Sequence, residues 1–206
     1  MKKNMNKIVS LVLALSLCMC MGVTAFAAEI DTSGGAGSTP VSLSSTDDGT
    51  LGGDPSATAL RVTVPTALPM AMNQDGDVTT ATDCKIVNNS FGAVRVASVT
   101  ITAADDWSLT AFGDKSILAG EKVDSNQIGF AISIGGGDMM ATDNSNEDTQ
   151  ALISAPIAGC FMTGVGNQNG NTVAIDYDAI VTPLSNAVTN ATVANVVFIV
   201  EWDTAA

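Results

Sequence analysis

The chain has 206 residues, of which 21 are acidic and eight are basic, and it contains no histidine, so its formal net charge is −13. Without histidine, neither a Ser-His-Asp nor a Cys-His catalytic group can form, and most kinds of zinc site are excluded. Nucleic acid and anionic lipid are unfavourable partners, because a strongly negative surface repels both. An enzyme would have to act through carboxylates, and the sequence shows no convergent pair. We therefore expect a protein that is not an enzyme and that needs no cofactor.

Residues 1–27 have the pattern of a secretory signal peptide. Three lysines precede the apolar run at 8–23, and Ala-Phe-Ala at 25–27 supplies the small residues of a cleavage site. The run is shorter than the roughly 20 residues of a membrane span, so we expect cleavage rather than insertion. The exported chain would then keep 179 residues, with five basic residues against 21 acidic ones, a net charge of −16. We expect it to be secreted and associated with the cell surface.

Residues 28–59 are rich in glycine, serine, threonine and aspartate. This composition predicts a flexible leader. Within it, Val41 and Leu43 alternate with polar residues over positions 39–45, which could form one short strand. Such a strand could add to the sheet edge of a second molecule, so fibre assembly through the leader is one hypothesis.

Residues 60–206 are predicted to form one β-domain. Apolar and polar residues alternate with a period near two, as in strands with one buried face, at 60–64, 127–134, 173–181 and 193–202. Turn signals such as Asp75-Gly76 separate eight or nine segments, and no segment has a convincing helical period. The sequence predicts an all-β, two-sheet antiparallel sandwich of Ig-like or Greek-key type. A closed β-barrel is the alternative.

In one predicted strand the apolar residues shift from one set of alternating positions to the other. Val94 and Val96 are followed by Val99 and Ile101, so the apolar positions move from even to odd numbers. A strand keeps one face buried through such a change only where an extra residue is inserted. The change predicts a β-bulge near positions 97 and 98.

The last two runs are predicted to pair as an antiparallel hairpin. With Ile175 opposite Trp202, every inward apolar row matches. Tyr177 and Trp202 then point into the core. We prefer this to a sugar-stacking platform made by these two residues and Trp107, because large aromatics in an apolar row are usually core residues.

The same register predicts an acidic cluster on the outer face of the hairpin. Asp176 lies opposite Glu201, with Asp178 and Asp203 nearby, and like charges in such positions repel each other. A cation such as calcium would relieve the repulsion, so these four residues are the candidate metal ligands. The alternative is a solvated acidic face, since no loop of calcium-binding spacing accompanies them.

Two cysteines, Cys84 and Cys160, remain after the predicted cleavage. An exported protein can join two such residues in a disulfide. On chain-entropy grounds this bond would stabilise the fold by about 4 kcal/mol. The alternative is two buried free thiols, because many exported bacterial proteins form no disulfide.

The tripeptide Trp107-Ser108-Leu109 resembles the first tryptophan-x-leucine motif of the WxL surface domains of Gram-positive bacteria. Residues 60–65 and 198–202 also resemble the flanks of that all-β family, whereas Trp202-Asp203-Thr204 lacks the leucine of its second motif. The resemblance runs over roughly residues 60–202. It implies non-covalent association with peptidoglycan, usually within a larger surface complex. Residues 62–65 and the valine-rich last run are also similar to exported β-sandwich fibre and matrix subunits.

Two classes of function follow from these patterns. The first is an exported structural or adhesive module, wall-associated or fibre-forming, whose partners are a cell-wall polymer, other surface proteins or further copies of the same chain. The second is a ligand-binding module for calcium, a glycan or a host protein. A hydrolase is disfavoured, because no carboxylate pair has a cleft around it.

Overall fold

The computed structural model describes residues 59–167 and 169–204, so the predicted signal peptide and residues 28–58 of the predicted leader lie outside the described residues. The described part forms twelve strands and two 3-10 turns, Lys115–Ile117 and Ala158–Cys160. The strands are β1 (Val62–Thr63), β2 (Met70–Met72), β3 (Val78–Thr80), β4 (Lys85–Asn88), β5 (Val94–Ala103), β6 (Ser108–Thr110), β7 (Gln127–Ile134), β8 (Met140–Ala141), β9 (Thr149–Ile153), β10 (Phe161–Met162), β11 (Thr172–Val181) and β12 (Ala194–Trp202). Among the described residues there is no helix with the length and apolar character that crossing a membrane requires.

The strands build two main sheets and the separate hairpin β2–β3. In sheet one the order is β1-β4-β11-β7-β6, with β8 also paired to β7. In sheet two the order is β10-β5-β12, with β9 also paired to β5. Only the pairing of β6 with β7 is parallel within the described part. The sheets do not close on themselves, so the predicted all-β sandwich is confirmed and the barrel alternative is wrong.

The core lies between the two sheets. β5 of sheet two contributes an inward row without exposed surface: Val94, Val96, Val99 and Ile101. β7 and β11 of sheet one contribute larger side chains: Ile128, Phe130, Ile132, Ile134, Ile175 and Tyr177. Full burial of a side chain of this kind stabilises the fold by roughly 1.5–3 kcal/mol, so this shared core is the main source of stability.

The predicted bulge is present in β5. Val96 faces Val200 of β12 and Ser98 faces Ile199, so Ala97 has no opposite residue. The apolar residues on both sides of Ala97 remain buried, because the inserted residue returns the strand to the same face.

The predicted pairing of the last two strands is wrong. Ile175 faces Ile134 of β7, and Trp202 faces Val94 of β5, so β11 and β12 belong to different sheets. The connection 182–193 crosses from one sheet to the other. Alternation with period two specifies which face of a strand is buried, but it does not specify the neighbour, and several neighbours satisfy the same pattern.

Tyr177 ties the small hairpin β2–β3 to β11. Its hydroxyl donates a hydrogen bond to the carbonyl of Pro69 at 2.5 Å and accepts one from the amide of Ala81 at 3.2 Å. The two partners lie on either side of the hairpin, so one buried side chain holds both of its ends. Tyr177 is 5 % exposed, which confirms the core position predicted for it.

Candidate interaction surface

The four predicted metal ligands do not come together. Asp176 and Asp178 are exposed on β11, opposite Ser133 and Ala131 of β7. Glu201 and Asp203 lie at the end of β12, in the other sheet. The register that placed Asp176 against Glu201 is therefore incorrect. In the described ranges there is also no group of three or more histidine, cysteine, aspartate or glutamate side chains that could hold a metal ion.

Arg95 neutralises the acidic end of β12. Its guanidinium lies 2.7 Å from Oε1 of Glu201 through Nη2, and its Nε donates to the same oxygen at 2.8 Å. Nη1 lies 3.6 Å from Oδ1 of Asp203. Because Arg95 faces Glu201 directly across the sheet, the pair is a cross-strand ion pair, which in an exposed setting contributes at most about 1 kcal/mol.

Other carboxylates stabilise turns. The hydroxyl of Ser185 donates to Asp124 at 2.5 Å, and the amide of Ser145 donates to Asp143 at 2.9 Å. These hydrogen bonds lower the pKa of both carboxyl groups. A lowered pKa keeps an exposed carboxylate charged and acceptor-only, which suits a turn rather than a general acid.

The two cysteines are free thiols. Cys84 is half-buried just before β4, and its carbonyl accepts a hydrogen bond from the amide of Ile175 at 2.9 Å. Cys160 is fully buried in the 3-10 turn before β10. Among the described residues the two sulfurs are therefore not joined in the disulfide considered from the sequence, although Cys160 belongs to the core cluster and Cys84 packs against it.

The Trp-x-Leu tripeptide lies at the border of the core. Leu109 on β6 is buried, and Trp107 is partly buried and packs against the core cluster. The amide of Trp107 donates to the carbonyl of Ala104 at 3.0 Å, which forms a turn before β6. Both side chains contribute to packing, and Trp202 on β12 is likewise partly buried against the core.

An exposed apolar surface lies at the end of the sandwich where β4 leads into β5. Phe91 is 81 % exposed there. The exposed Val165 lies at the same end, because its amide donates to the carbonyl of Ser90 at 2.9 Å. We call residues 89–92 and 163–166 the Phe91 end. A large aromatic side chain left almost wholly in water contributes little to folding, and exposed apolar surface of this kind is a candidate contact for a partner.

Buried Asn88 holds both loops of the Phe91 end. Its Nδ2 donates to the carbonyls of Gly92 and Thr163, each at 2.9 Å, and its Oδ1 accepts from the amide of Ser90 at 2.8 Å. Asn88 has no exposed surface. Its amide group therefore replaces water for three backbone groups of the two loops.

Gly164 allows the two loops to touch. A Cβ atom at this position would lie 1.8 Å from the carbonyl oxygen of Phe91, which no side chain tolerates. The loops are thus in backbone contact. Together with Asn88, this contact fixes the backbone that carries the Phe91 ring.

Sequence patterns missed the Phe91 end, because a single phenylalanine in a loop has no periodicity. The available signal was local: Phe91 stands between turn-forming residues in Asn88-Asn89-Ser90-Phe91-Gly92, where an apolar side chain is unusual. Neither a family model, nor a curated protein, nor a solved structure matches this chain.

Proposed function

We propose that the exported chain is a non-enzymatic adhesive or structural module of the bacterial surface that binds a cell-wall polymer through the Phe91 end. One observation carries the proposal: Phe91 is 81 % exposed on a turn whose backbone is held by the fully buried Asn88. A loop whose backbone is already held in place loses less conformational entropy on binding than a flexible loop does. Aromatic residues are also the most common anchors of binding surfaces.

The sequence supports the place of action. The signal-peptide pattern of residues 1–27 predicts export, and the resemblance of Trp107-Ser108-Leu109 to the WxL motif implies association with peptidoglycan. Trp107 itself packs against the core. Wall contact would therefore fall to a more exposed aromatic, and Phe91 is the best placed.

The polar groups support a scaffold rather than a reaction. Buried Thr142 donates to the carbonyl of Thr110 at 2.6 Å and accepts from the amide of Phe130 at 2.9 Å. Thr182, which is also buried and directly follows β11, has Oγ1 at 3.0 Å from the amide of Gln127. Such bonds join the backbones of adjacent strands, and a rigid sandwich is suited to carrying a binding loop.

The test is co-sedimentation of the exported chain with purified cell wall. We expect Phe91→Ala to lower the bound fraction about tenfold or more, in the range of a binding hot spot. Ile117→Ala is the matched control, because Ile117 is also a large exposed apolar residue but lies on the 3-10 turn after β6. It should bind as the wild type does.

Recovery of the wild-type chain only in the supernatant would contradict the proposal. Equal losses in the two variants would show a general hydrophobic effect instead of a site. The same pair of variants on a glycan array and against host surface proteins examines the ligand-binding alternative, in which Phe91 would recognise a ligand other than the wall.

A further inference from the structure

β12 is a long edge strand. Within the described residues it pairs only with β5, and it does so along all nine of its residues. Each of the other described strands that pair on a single side is short, with two to five residues. Short edges resist pairing with another chain, whereas a long edge presents a row of free backbone groups. β12 is therefore the part of this sandwich best able to accept a further strand.

The sequence of β12 is that of an interior strand. Five consecutive apolar residues, 196–200, occupy its centre. On the outer face Val197 and Ile199 are 52 % and 54 % exposed, and the inward Phe198 is only partly buried. Continuous apolar runs are typical of central strands, in which both faces of the sheet are buried and a neighbouring strand lies on each side. β12 has the composition of such a strand but occupies an edge.

The backbone of β12 has a defined open side. The amide of Ala104 donates to the carbonyl of Val193 at 3.0 Å, and the amide of Asp203 donates to the carbonyl of Ala93 at 3.0 Å. In an antiparallel ladder the backbone groups of alternate residues point to opposite sides. Odd-numbered residues of β12 therefore bond to β5, and the backbone groups of Val196, Phe198 and Val200 point to the open edge.

We propose that the β12 strands of two molecules pair in antiparallel orientation about a twofold axis, with Phe198 opposite the partner's Phe198. This register places even-numbered residues opposite each other, as the open backbone groups require. Val197 then lies opposite the partner's Ile199 on the outer face. On the inner face Val196 lies opposite the partner's Val200. Each exposed apolar side chain gains an apolar cross-strand neighbour, and sheet two becomes continuous through the dimer.

Charge is compatible with this register. Asn195 lies opposite the partner's Glu201, so two carboxylates are not brought face to face. Within its own molecule Glu201 is already paired with Arg95 at 2.7 Å. Two molecules of a protein of net charge −13 repel each other. The repulsion is weakest where a guanidinium lies next to the acidic groups, as Arg95 does at the end of β12.

The second copy fits the edge better than the predicted leader strand does. Val41 and Leu43 alternate with Ser42 and Ser44, so a strand from the leader would supply apolar side chains to one face only. In either register, one of the two rows of β12 would then have serine side chains as its cross-strand neighbours. A second β12 supplies apolar side chains to both faces at once.

The dimer can be tested by sedimentation equilibrium of the exported chain over a range of concentrations. We expect a mass twice that of the chain at high concentration. Ile199→Lys and Val197→Lys should each weaken association roughly 100-fold, which is two powers of ten in the dissociation constant. Ile117→Lys is the matched control: the same substitution at a residue that is 53 % exposed, but outside β12. It should associate as the wild type does.

Amide hydrogen exchange separates strand pairing from other contacts. In the wild-type dimer the amides of Val196, Phe198 and Val200 should be protected. In the Ile199→Lys variant these three amides should exchange rapidly, whereas the amide of Val197 and the amide at the substituted position stay protected by β5. Retention of that second set also shows that the variant is folded.

A wild-type chain that remains monomeric at every concentration would overturn the proposal, as would a dimer that both lysine variants leave unchanged. A third variant of the full exported chain, Val41→Lys with Leu43→Lys, should dimerise normally. Loss of its dimer would make the leader the occupant of the edge and would also overturn the proposal. Wall binding is proposed for Phe91, which is not a residue of β12, so a monomeric wild-type chain that still sediments with the cell wall would overturn the dimer and leave wall binding in place.

Discussion

β11 and β12 have almost the same length and the same alternation, but they occupy opposite kinds of position. β11 lies in the middle of sheet one between β4 and β7, with Ile175 and Tyr177 buried and Asp176 exposed between them. β12 lies at the edge of sheet two with apolar Ile199 exposed. The central strand directs carboxylates to solvent, whereas the edge strand directs methyl groups to solvent.

The difference shows that the residue types on the outer face of a strand help to indicate whether the strand has a neighbour on both sides, which alternation alone does not indicate. A central strand already has a neighbouring strand on each side, so the side chains on its outer face need only be polar enough to lie in water. An edge strand with an apolar outer face lacks the protection that charge, proline or a short length usually provides. β12 differs from the short edges of this molecule in this respect, which is why a second copy of the chain is the expected neighbour.

The largest difference in the free energy of unfolding should lie between a substitution in the inner row of β11 and one in the outer row of β12. Ile175→Ala should lower the free energy of unfolding by about 2–5 kcal/mol, since a fully buried side chain leaves a cavity. Ile199→Ala should change it by less than about 0.5 kcal/mol in dilute solution, where the chain is monomeric. Urea unfolding followed by fluorescence measures both, and equal losses would remove the contrast between the two strands.

A smaller effect should follow from cutting the link between β11 and the hairpin β2–β3. Tyr177→Phe keeps the ring but leaves the carbonyl of Pro69 and the amide of Ala81 without their partner, at a cost of about 1–3 kcal/mol. Hydrogen exchange should show the loss mainly in β2 and β3. Uniform loss over both sheets would contradict a role confined to the hairpin.

The same residue predicts a response to alkaline pH. Burial raises the pKa of the Tyr177 hydroxyl above its ordinary value of 10.0. The unfolded chain therefore loses this proton first as the pH rises. Stability from the protonated hydroxyl is fully present below about pH 10 and is lost as the pH rises through the folded-state pKa. Tyr177→Phe should make the unfolding free energy less dependent on pH in this range.

The ion pair between Arg95 and Glu201 at the end of β12 should contribute less to stability than the buried groups of β11 do. A double-mutant cycle with Arg95→Gln and Glu201→Gln should give a coupling energy of at most about 1 kcal/mol, falling with added salt. Asp176→Asn on β11 is a control, since Asp176 is an exposed acid in the other sheet. A coupling between Arg95 and Asp176 as large as that with Glu201 would contradict the strand assignment.

The smallest effect is a local one at acidic pH. The hydrogen bond from Lys115, followed by that from Asn73, lowers the pKa of Asp77 below 3.8. The stabilisation is present above the ordinary pKa and is lost as the pH falls through the lowered one. We expect the β2–β3 turn to loosen there before the sandwich unfolds. In Lys115→Gln an NMR titration should find the Asp77 pKa raised towards its ordinary value; an unchanged pKa would exclude this contact.

Local patterns predicted the features that depend on neighbouring residues. The alternation in β11 and the phase change at Ala97 were enough for a strand and a bulge, because each follows from which side of one strand is buried. β7 also forms the predicted strand, but both of its faces are buried, which its alternation did not predict. The Asp75-Gly76 turn is of the same kind: Gly76 has φ of 76°, and the side chain of Asn73 accepts from the amides of Asp75 and Asp77.

Pairing could not be predicted in the same way. The hairpin of β11 with β12 satisfied every inward row, and so did the true neighbours β7 and β5. The candidate metal site depended on that hairpin, so it was lost with it. The Phe91 end depended on Asn88, whose partners include Thr163, which is 75 residues away along the chain.

The amino-acid sequence alone determined the β-class of this protein, its acidic surface and the position of its bulge, because period-two burial and charge are properties of short segments. The tertiary structure decided which strands are neighbours, which acids are paired with Arg95 and which apolar residues stay in water. The physical reason is that a strand is stabilised by any neighbour that completes its ladder and covers its apolar face, so the choice among neighbours is made by the whole core at once.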